Sequence, residues 1–292
     1  LLSVSEKSAV VIPETGLSLT YLQLSSLVGN FQKIFDSPES PLSKKSGKSQ
    51  LTIATSLPNG LEFLVAFLGV TTAGNVVAPL NSNYRKQEFE FYLEDLKADA
   101  VVLPRGLKSD AEIVKAITSS NPAPLVVEAF LERGSVEFEV FGPSGKLYLT
   151  LSTPAVINNT GSFLGIAKPD DVAMILHTSG TTSRPKQVPL THLNLATSFK
   201  NIARTYNLVS EDRTYVVMPL FHVHGLIGAL LSTLSTQGTV IVPQKFSATK
   251  FWDEFIKYRA NWYSAVPTIH QILLNVPKPA TLPKFRFIRS CS

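Results

Sequence analysis

Hydroxyl side chains are crowded into one short loop, and this loop is the part of the sequence best suited to chemistry. It consists of Thr178, Ser179, Gly180, Thr181, Thr182, Ser183, Arg184, Pro185 and Lys186. Gly180 allows the backbone to turn its N–H groups toward a ligand. Backbone donors and small hydroxyls, with the fixed positive charge of Lys186 behind them, suit the oxygens of a polyphosphate. The pattern therefore predicts a phosphate-binding loop.

An ordinary surface loop and a Walker A loop are the alternatives for this stretch. Ser, Thr and Gly are common in loops without a ligand. Walker A requires Gly-x-x-x-x-Gly-Lys-Ser/Thr. Here Gly180 is followed five residues later by Pro185, and Lys186 is followed by Gln187. The spacing excludes the Walker type.

Composition fits a globular protein with room for two core-bearing units. The chain has 292 residues, of which 44% are hydrophobic and 17% charged, and these values are typical of folded proteins. The formal net charge is +5, and no basic stripe is interleaved with aromatic residues. Nucleic acid is therefore not an expected partner. The single cysteine, Cys291, excludes an internal disulfide and favours a reducing compartment.

The most apolar long stretch, Leu61 to Leu80, is not expected to span a membrane. It contains Glu62, Asn75 and two glycines, so it predicts a buried helix, a turn and a strand, and no transmembrane segment. The first residue is Leu1, so the natural N-terminus is expected to be missing, and targeting signals at the termini cannot be read.

Strand and helix signals alternate along the chain and predict an α/β fold. We expect two βα-repeat subdomains, residues 1–165 and 166–292, with mostly parallel sheets flanked by helices and a small β-hairpin insert. A polar stretch at 151–170 is the expected connection. The first subdomain should contain a helix capped by Asn59, a helix capped by Ser109, and a hairpin marked by Gly142 to Gly145.

The second subdomain should alternate strand and helix without interruption. The predicted strands are 172–177, 214–218, 239–243, 261–266 and 285–289. Because ligands of parallel sheets lie outside the carboxyl ends of the strands, the segments after these strands should converge. Those segments are the hydroxyl loop, Phe221-His222 and Val266 to Thr268.

Several motifs resemble those of the adenylate-forming (AMP-binding) enzymes, the superfamily of acyl-CoA synthetases, luciferases and nonribosomal adenylation domains. Thr178 to Lys186 matches the pattern Thr-Ser-Gly-Thr-Thr-x-x-Pro-Lys throughout. The likeness runs through almost the whole chain and includes Asn59–Phe63, Ala66–Gly69, Pro79–Tyr84, Met218–Leu226 and Val266–Thr268. It implies the N-terminal domain of such an enzyme, with a mobile C-terminal domain absent.

Two segments, Met218 to Leu226 and Phe287 to Ser292, look most like the peroxisomal oxalate–CoA ligases of fungi and plants. The resemblance implies an ATP-dependent acid–CoA ligase that uses oxalate or another small dicarboxylate, with ATP, Mg²⁺ and coenzyme A. It also implies a peroxisomal location, with the cytoplasm as the alternative. Oligomeric state is not indicated.

The resemblance also implies roles for particular residues. His222 would lie beside the α-phosphate and the acyl carboxylate, at the inner end of the pantetheine tunnel; the alternative is a satisfied core histidine. His222 and Lys186 are the expected catalytic residues. The β- and γ-phosphates would be bound by Thr178, Ser179, Gly180, Thr181, Thr182 and Lys186.

The acyl pocket is expected from the resemblance to include Val266, Pro267 and Thr268. His224 stands where relatives with aromatic acids have tyrosine, and it adds a donor that can be cationic. Such a donor would suit a small dianionic acid, and Arg289 and Ser290 could add further donors. A metal at His222 and His224 is not expected, because no further His or Cys cluster supports one.

The family's adenine, ribose and magnesium contacts, its hinge and its catalytic C-terminal lysines lie beyond Ser292. We therefore expect the isolated chain to form neither adenylate nor thioester. The alternative is a truncated, non-catalytic paralogue that binds a nucleotide or a partner.

Overall fold

The structure, a computed structural model, describes residues 3, 5–43, 47–132, 135–154, 167–178 and 184–291. The chain divides into two compact units, each with its own β-sheet. The six-stranded unit comprises Leu1–Leu24, Pro58–Leu61 and Ala196–Ser292, and the eight-stranded unit comprises Ser25–Leu57 and Glu62–Leu195. The α/β class with mostly parallel sheets is confirmed.

Strands and helices alternate along much of the chain, interrupted by one pair and one longer run of consecutive strands. The strands are β1 (Ser8–Ile12), β2 (Leu17–Thr20), β3 (Thr52–Thr55), β4 (Val76–Pro79), β5 (Ala100–Pro104), β6 (Leu125–Glu132), β7 (Ser135–Phe141), β8 (Leu147–Pro154), β9 (Val172–His177), β10 (Gln187–Thr191), β11 (Arg213–Tyr215), β12 (Thr239–Ile241), β13 (Trp262–Ala265) and β14 (Phe287–Ser290).

The helices are α1 (Tyr21–Asp36), α2 (Leu61–Thr72), α3 (Lys86–Leu96), α4 (Glu112–Ser119), α5 (His192–Thr205), α6 (Val223–Gly225), α7 (Ser232–Ser235), α8 (Ala248–Lys257) and α9 (Pro267–Asn275). A π-helical segment, Leu226–Leu231, joins α6 to α7. Among the described residues, no helix combines the length and apolar character that crossing a membrane requires.

The eight-stranded sheet has the order β10-β9-β4-β3-β5-β6-β7-β8. Strands β9, β4, β3, β5 and β6 run parallel. The β7–β8 hairpin, predicted from Gly142 to Gly145, continues the sheet antiparallel to β6. At the opposite edge, β10 runs antiparallel to β9.

The apolar stripe of α3 supplies much of the core of this unit. Its four buried residues have the i, i+3, i+4, i+7 spacing of one helix face, and they pack with β5 and α4. Burial of each large apolar side chain contributes about 1.5–3 kcal/mol relative to exposure. The stripe consists of Phe89, Tyr92, Leu93 and Leu96.

The six-stranded sheet has the order β14-β13-β11-β12-β1-β2. All its neighbours are parallel except the β1–β2 pair. The core of this unit is aromatic, since Phe251 and Phe255 of α8 pack against Tyr215 and Tyr263 of the sheet. These contacts fix the helix over β11 and β13, whose carboxyl ends carry the site residues.

The two units do not follow the expected division at 165/166. Strands β9 and β10 pair into the eight-stranded sheet with β4, although they follow the polar stretch. Strand β1 pairs with β12 across more than two hundred residues. Local sequence patterns predict that a strand exists, but not which sheet it joins.

Three local predictions were wrong, and the first two concern β10 and α4. Strand β9 was expected to lead directly through the loop into a helix, but β10 intervenes and returns antiparallel. Strand β10 contains Pro189 and lies partly exposed at the sheet edge, so its sequence lacks the pattern that predicts a strand. Helix α4 begins at Glu112 and not after Ser109; its N-cap residue is Ala111, without a side-chain cap.

Asn59 does not cap α2, which begins at Leu61. Its amide Nδ2 donates to the Met218 carbonyl at 3.2 Å, and its Oδ1 accepts from the Leu220 N–H at 2.8 Å. One side chain therefore satisfies both backbone groups of the turn that follows β11. This turn leads into His222.

Replacing Asn59 by aspartate should destabilise the protein by about 1–3 kcal/mol, because the new carboxylate could still accept from Leu220 but would leave the Met218 carbonyl without its donor. Urea unfolding of the 292-residue chain measures the change. Asn83→Asp, at an exposed position, is the control and should change stability by less than about 0.5 kcal/mol. Equal effects of the two substitutions would contradict the assignment.

Candidate functional site

His222 lies at the start of a short helix in the six-stranded unit. Its N–H donates to the Pro219 carbonyl at 3.3 Å, and its ring Nδ1 accepts from the His224 N–H at 3.3 Å. A ring nitrogen that accepts a hydrogen bond carries no proton, so the neutral ring has its proton on Nε2. The side chain is exposed and can donate from Nε2 to a ligand oxygen.

Gly225 permits the tight turn that positions these histidines. A Cβ at this residue would lie 2.4 Å from the Pro219 carbonyl oxygen and 2.7 Å from that of Met218. Backbone oxygens cannot move away as a flexible side chain can. The close approach of the helix to the turn therefore requires glycine.

His224 points inward and forms a network with the ends of two strands. Its Nε2 lies 2.7 Å from the Ser264 hydroxyl of β13, and Arg289 Nη1 of β14 donates to the same hydroxyl at 3.2 Å. Ser264 and Arg289 are Cα partners in the parallel register. Both His224 and Ser264 are buried.

The donor and the acceptor in each hydrogen bond of this network can be assigned from the protons that each group carries. Arg289 can only donate, so Ser264 accepts from it. If His224 Nε2 also donated, the buried hydroxyl would have no acceptor among the described residues, which is costly. Ser264 therefore donates to Nε2, and the neutral His224 ring keeps its proton on Nδ1.

His224 is not a cation here, and in this respect the expectation from sequence was wrong. Burial, together with the charge of Arg289 and the neighbouring His222 and His270, lowers the pKa of His224 to about 4. The ring is therefore neutral at pH 7. Arg289 carries the positive charge of the network.

The Arg289 side chain is half-buried and held on two sides. Its guanidinium lies over the Tyr206 ring, 5.5 Å from the centroid, in the geometry of a cation–π contact. Gly228 of the π-helical segment leaves space beside it, since a Cβ there would lie 3.7 Å from Nη1. The planar group keeps further N–H donors for a carboxylate.

His270 holds the strand end that carries Arg289, and no sequence pattern selected it. Its Nε2 lies 3.2 Å from the Ala265 carbonyl and 3.1 Å from the Arg289 carbonyl. Both partners are acceptors, so Nε2 carries the proton and Nδ1 accepts from the Tyr263 hydroxyl at 3.1 Å. Ser264 and Tyr206 were missed because their partners are distant in sequence, and His270 was missed because no motif marks it.

The remaining acyl-pocket residues are not all brought together. Val266 is the N-cap residue of α9, with Pro267 at its first position, and the adjacent Thr268 is exposed. Ser290 follows Arg289 within β14, so its side chain lies on the opposite face of the sheet. The structure therefore separates Ser290 from the His224 network.

The ends of the hydroxyl loop lie in the eight-stranded unit. The Thr178 N–H donates to the Lys186 carbonyl at 3.0 Å, and the Lys186 N–H donates to Thr178 Oγ1 at 3.3 Å. Both residues are exposed, and Lys186 has no ion-pair partner within the part of the chain that is described. Outside the described residues lie Ser179, Gly180, Thr181 and Thr182.

Among the described residues, Lys186 has no ion-pair partner at the end of the hydroxyl loop. In the six-stranded unit, one cation, Arg289, lies beside the neutral donors of Ser264 and His224. No group of three or more His, Cys, Asp or Glu among the described residues could hold a metal.

The chain belongs to the AMP-binding enzyme family, whose model matches residues 5–292. It is 50% identical over 299 aligned residues to an oxalate–CoA ligase of Saccharomyces cerevisiae, covering 99% of this chain and 54% of that protein. An Arabidopsis thaliana oxalate–CoA ligase is 43% identical, over 82% of this chain and 45% of its own length. The chain thus spans about half the length of these relatives.

Among solved structures, ATP-bound MatB from Rhodopseudomonas palustris superposes with a TM-score of 0.73 at 26% identity. The match covers 95% of this chain and 50% of that one. The resemblance inferred from sequence is thereby confirmed at the level of family and fold.

Gly225→Ala should destabilise the chain by about 1–3 kcal/mol, since the new methyl group would overlap two carbonyl oxygens. Gly228→Ala is the matched control three residues later: its Cβ would lie 3.6 Å from His224 Cδ2, an ordinary contact. The control should leave stability unchanged or raise it, because alanine favours a helix. Urea unfolding measures both, and a tolerated Gly225→Ala would contradict the close approach.

Acid should selectively weaken the fold through His224. The unfolded chain takes up a proton there near pH 6.5, whereas the folded ring does so only near pH 4. Between these values the unfolded state binds more protons, so the free energy of unfolding falls as the pH falls. His224→Gln cannot titrate, and the stability of wild type relative to this variant should decline from about pH 7 to about pH 4.5. A difference independent of pH would refute the neutral, buried ring.

Proposed function

We propose that the protein containing this chain is an ATP-dependent acid–CoA ligase whose acid is oxalate or another small dicarboxylate. Family membership and the 50% identity to a yeast oxalate–CoA ligase support the ligase class. The observation that carries the choice of acid is Arg289, a half-buried cation beside uncharged donors at a strand end.

The first step would be adenylation. One carboxylate oxygen attacks the α-phosphorus of ATP in line, the bond to the bridging oxygen breaks, and pyrophosphate leaves. Protein groups have little covalent work in such a transfer, so positioning and charge stabilisation dominate. In this proposal Thr178 to Thr182 and Lys186 bind the β- and γ-phosphates, and His222 donates from Nε2 near the reacting carboxylate.

The distal carboxylate of the acid would meet Arg289 and His224. An arginine can bind a carboxylate with two parallel hydrogen bonds, and Tyr206 and Ser264 restrict the orientation of its guanidinium. His224 would add a neutral Nδ1–H donor. A fatty acyl chain would leave this cation desolvated without a partner, which is unfavourable. Val266, Pro267 and Thr268 would line the same pocket.

The second step would be thioester formation. The thiol of coenzyme A loses its proton, its sulfur attacks the acyl carbonyl, and AMP leaves. Magnesium is implied with ATP. Among the described residues, no group of three or more His, Cys, Asp or Glu could hold a metal ion. A peroxisomal location is proposed from the resemblance to the oxalate–CoA ligase branch.

The longest product of the gene that carries this chain should be assayed for acid-dependent ATP–pyrophosphate exchange with oxalate, malonate and octanoate. We expect oxalate or malonate to give the highest kcat/KM. Preference for octanoate would refute the assigned acid, and exchange with none of a broad acid panel would refute the ligase activity.

His224→Tyr should lower kcat/KM for the dicarboxylate by at least about tenfold, because the hydrogen bond from His224 to the distal carboxylate would be lost. The KM for ATP should stay within about twofold. Lys284→Gln removes a positive charge at an exposed position and is the control, with both constants unchanged. A parallel loss of ATP and acid affinity in His224→Tyr would contradict a role confined to the acid.

A further inference from the structure

A polar cluster in the eight-stranded unit lies next to Thr178 and Lys186, the residues at which the hydroxyl loop begins and ends. His177 ends β9, Gln187 begins β10, and the two residues are Cα partners in the antiparallel ladder. Side chains of opposed residues project from the same face of a sheet. Both of these side chains reach one residue of α3, Asp95.

The contacts join Asp95 to both strands of the hairpin. His177 Nε2 lies 2.9 Å from Asp95 Oδ2. Gln187 Nε2 donates to the same carboxylate oxygen at 2.9 Å and to the Asp95 backbone carbonyl at 2.6 Å. An ionised carboxylate only accepts, so His177 is the donor. The hydrogen bond from His177 lowers the pKa of Asp95, which keeps the carboxylate charged.

Aromatic packing fixes the donor ring. The His177 side chain is only 6% exposed and meets the Tyr92 ring edge to face at 4.7 Å between centroids. Arg184, near the far end of the loop, lies over the Phe91 ring at 5.9 Å. Residues 91, 92 and 95 of α3 therefore contact both sides of the loop stem, which we define as the residues on either side of the hydroxyl loop at the end of β9 and the start of β10.

The hairpin needs such an anchor because β10 is an edge strand. It pairs only with β9, and no strand of the described chain covers its other side. A strand with a single neighbour is held more weakly in register. One residue beyond the His177–Gln187 pair, Thr178 and Lys186 are hydrogen-bonded to each other, so the orientation of this pair follows that of the stem.

We propose that Asp95 is a positioning residue for the phosphate site: by binding His177 and Gln187 together, it fixes the two strand ends from which Thr178 and Lys186 present their donors to the triphosphate. This inference rests on the proposed function for its ligand, ATP. Asp95 contacts no substrate and acts through the hairpin stem.

Asp95→Ala should raise the KM for ATP in the exchange assay by about tenfold, since charge-assisted bonds to both strands are lost. The KM for the acid should stay within about twofold. Asp95→Asn keeps an acceptor oxygen but no charge, and its KM for ATP should lie between those of wild type and Asp95→Ala. Glu94→Ala, which removes the same charge from the neighbouring exposed position of α3, is the control and should behave as wild type.

Hydrogen exchange supplies a readout that does not depend on activity. In Asp95→Ala the amides of Thr178 and Val188 should exchange at least about tenfold faster, while amides of β3 and β5 in the same sheet keep their wild-type rates. The inference would be overturned if an active Asp95→Ala enzyme kept the wild-type KM for ATP. It would also be overturned if the amide hydrogens of Thr178 and Val188 exchanged at wild-type rates. If the wild type showed no ATP–pyrophosphate exchange, the proposed function would be refuted. The hydrogen-exchange rates would still test whether Asp95 fixes the ends of β9 and β10.

Discussion

Parallel strand pairing is the constraint on which the site residues depend. Strands that run in one direction place their carboxyl ends at one edge of the sheet, where backbone groups and following residues meet. In the six-stranded unit this edge carries Ser264, Arg289 and the turn after β11. Ser264 and Arg289 are 25 residues apart in sequence, but the register between β13 and β14 brings them within hydrogen-bonding distance, and β11 pairs with the other side of β13. The aromatic core packs against these strands.

Much of the fold could be predicted because periodicity is a local property. The stripe of α3, the β7–β8 hairpin and the alternation from β11 to β14 all follow from residue types within a few positions of each other. Strand β10 could not be predicted in this way, because an edge strand with a proline and exposed side chains lacks the buried pattern. Asn59 was misassigned because asparagine favours helix caps, while its true partners lie about 160 residues away.

The candidate site shows the same division between local and distant information. The motifs selected His222, His224, Arg289 and the loop from Thr178 to Lys186. They did not select Ser264, His270 or Asp95, since a serine, histidine or aspartate has no distinctive neighbours in sequence. The protonation state of His224 also required the structure: a histidine suggests a cation, but burial beside Arg289 makes it neutral. The positive charge of this network is therefore that of Arg289, and the neutral histidine contributes only hydrogen bonds.

The π-helical segment between α6 and α7 makes the spacing of the acyl-side residues dependent on chain length. A wide turn contains more residues than an α-helical turn, so losing one residue would let the segment relax to ordinary winding. Because each residue of an α-helix turns the chain by about 100°, such a deletion would rotate Gly228 away from Arg289 or carry His224 out of reach of Ser264. A one-residue deletion in this segment would therefore disrupt the contacts among His224, Ser264 and Arg289, whereas a substitution could leave them in place.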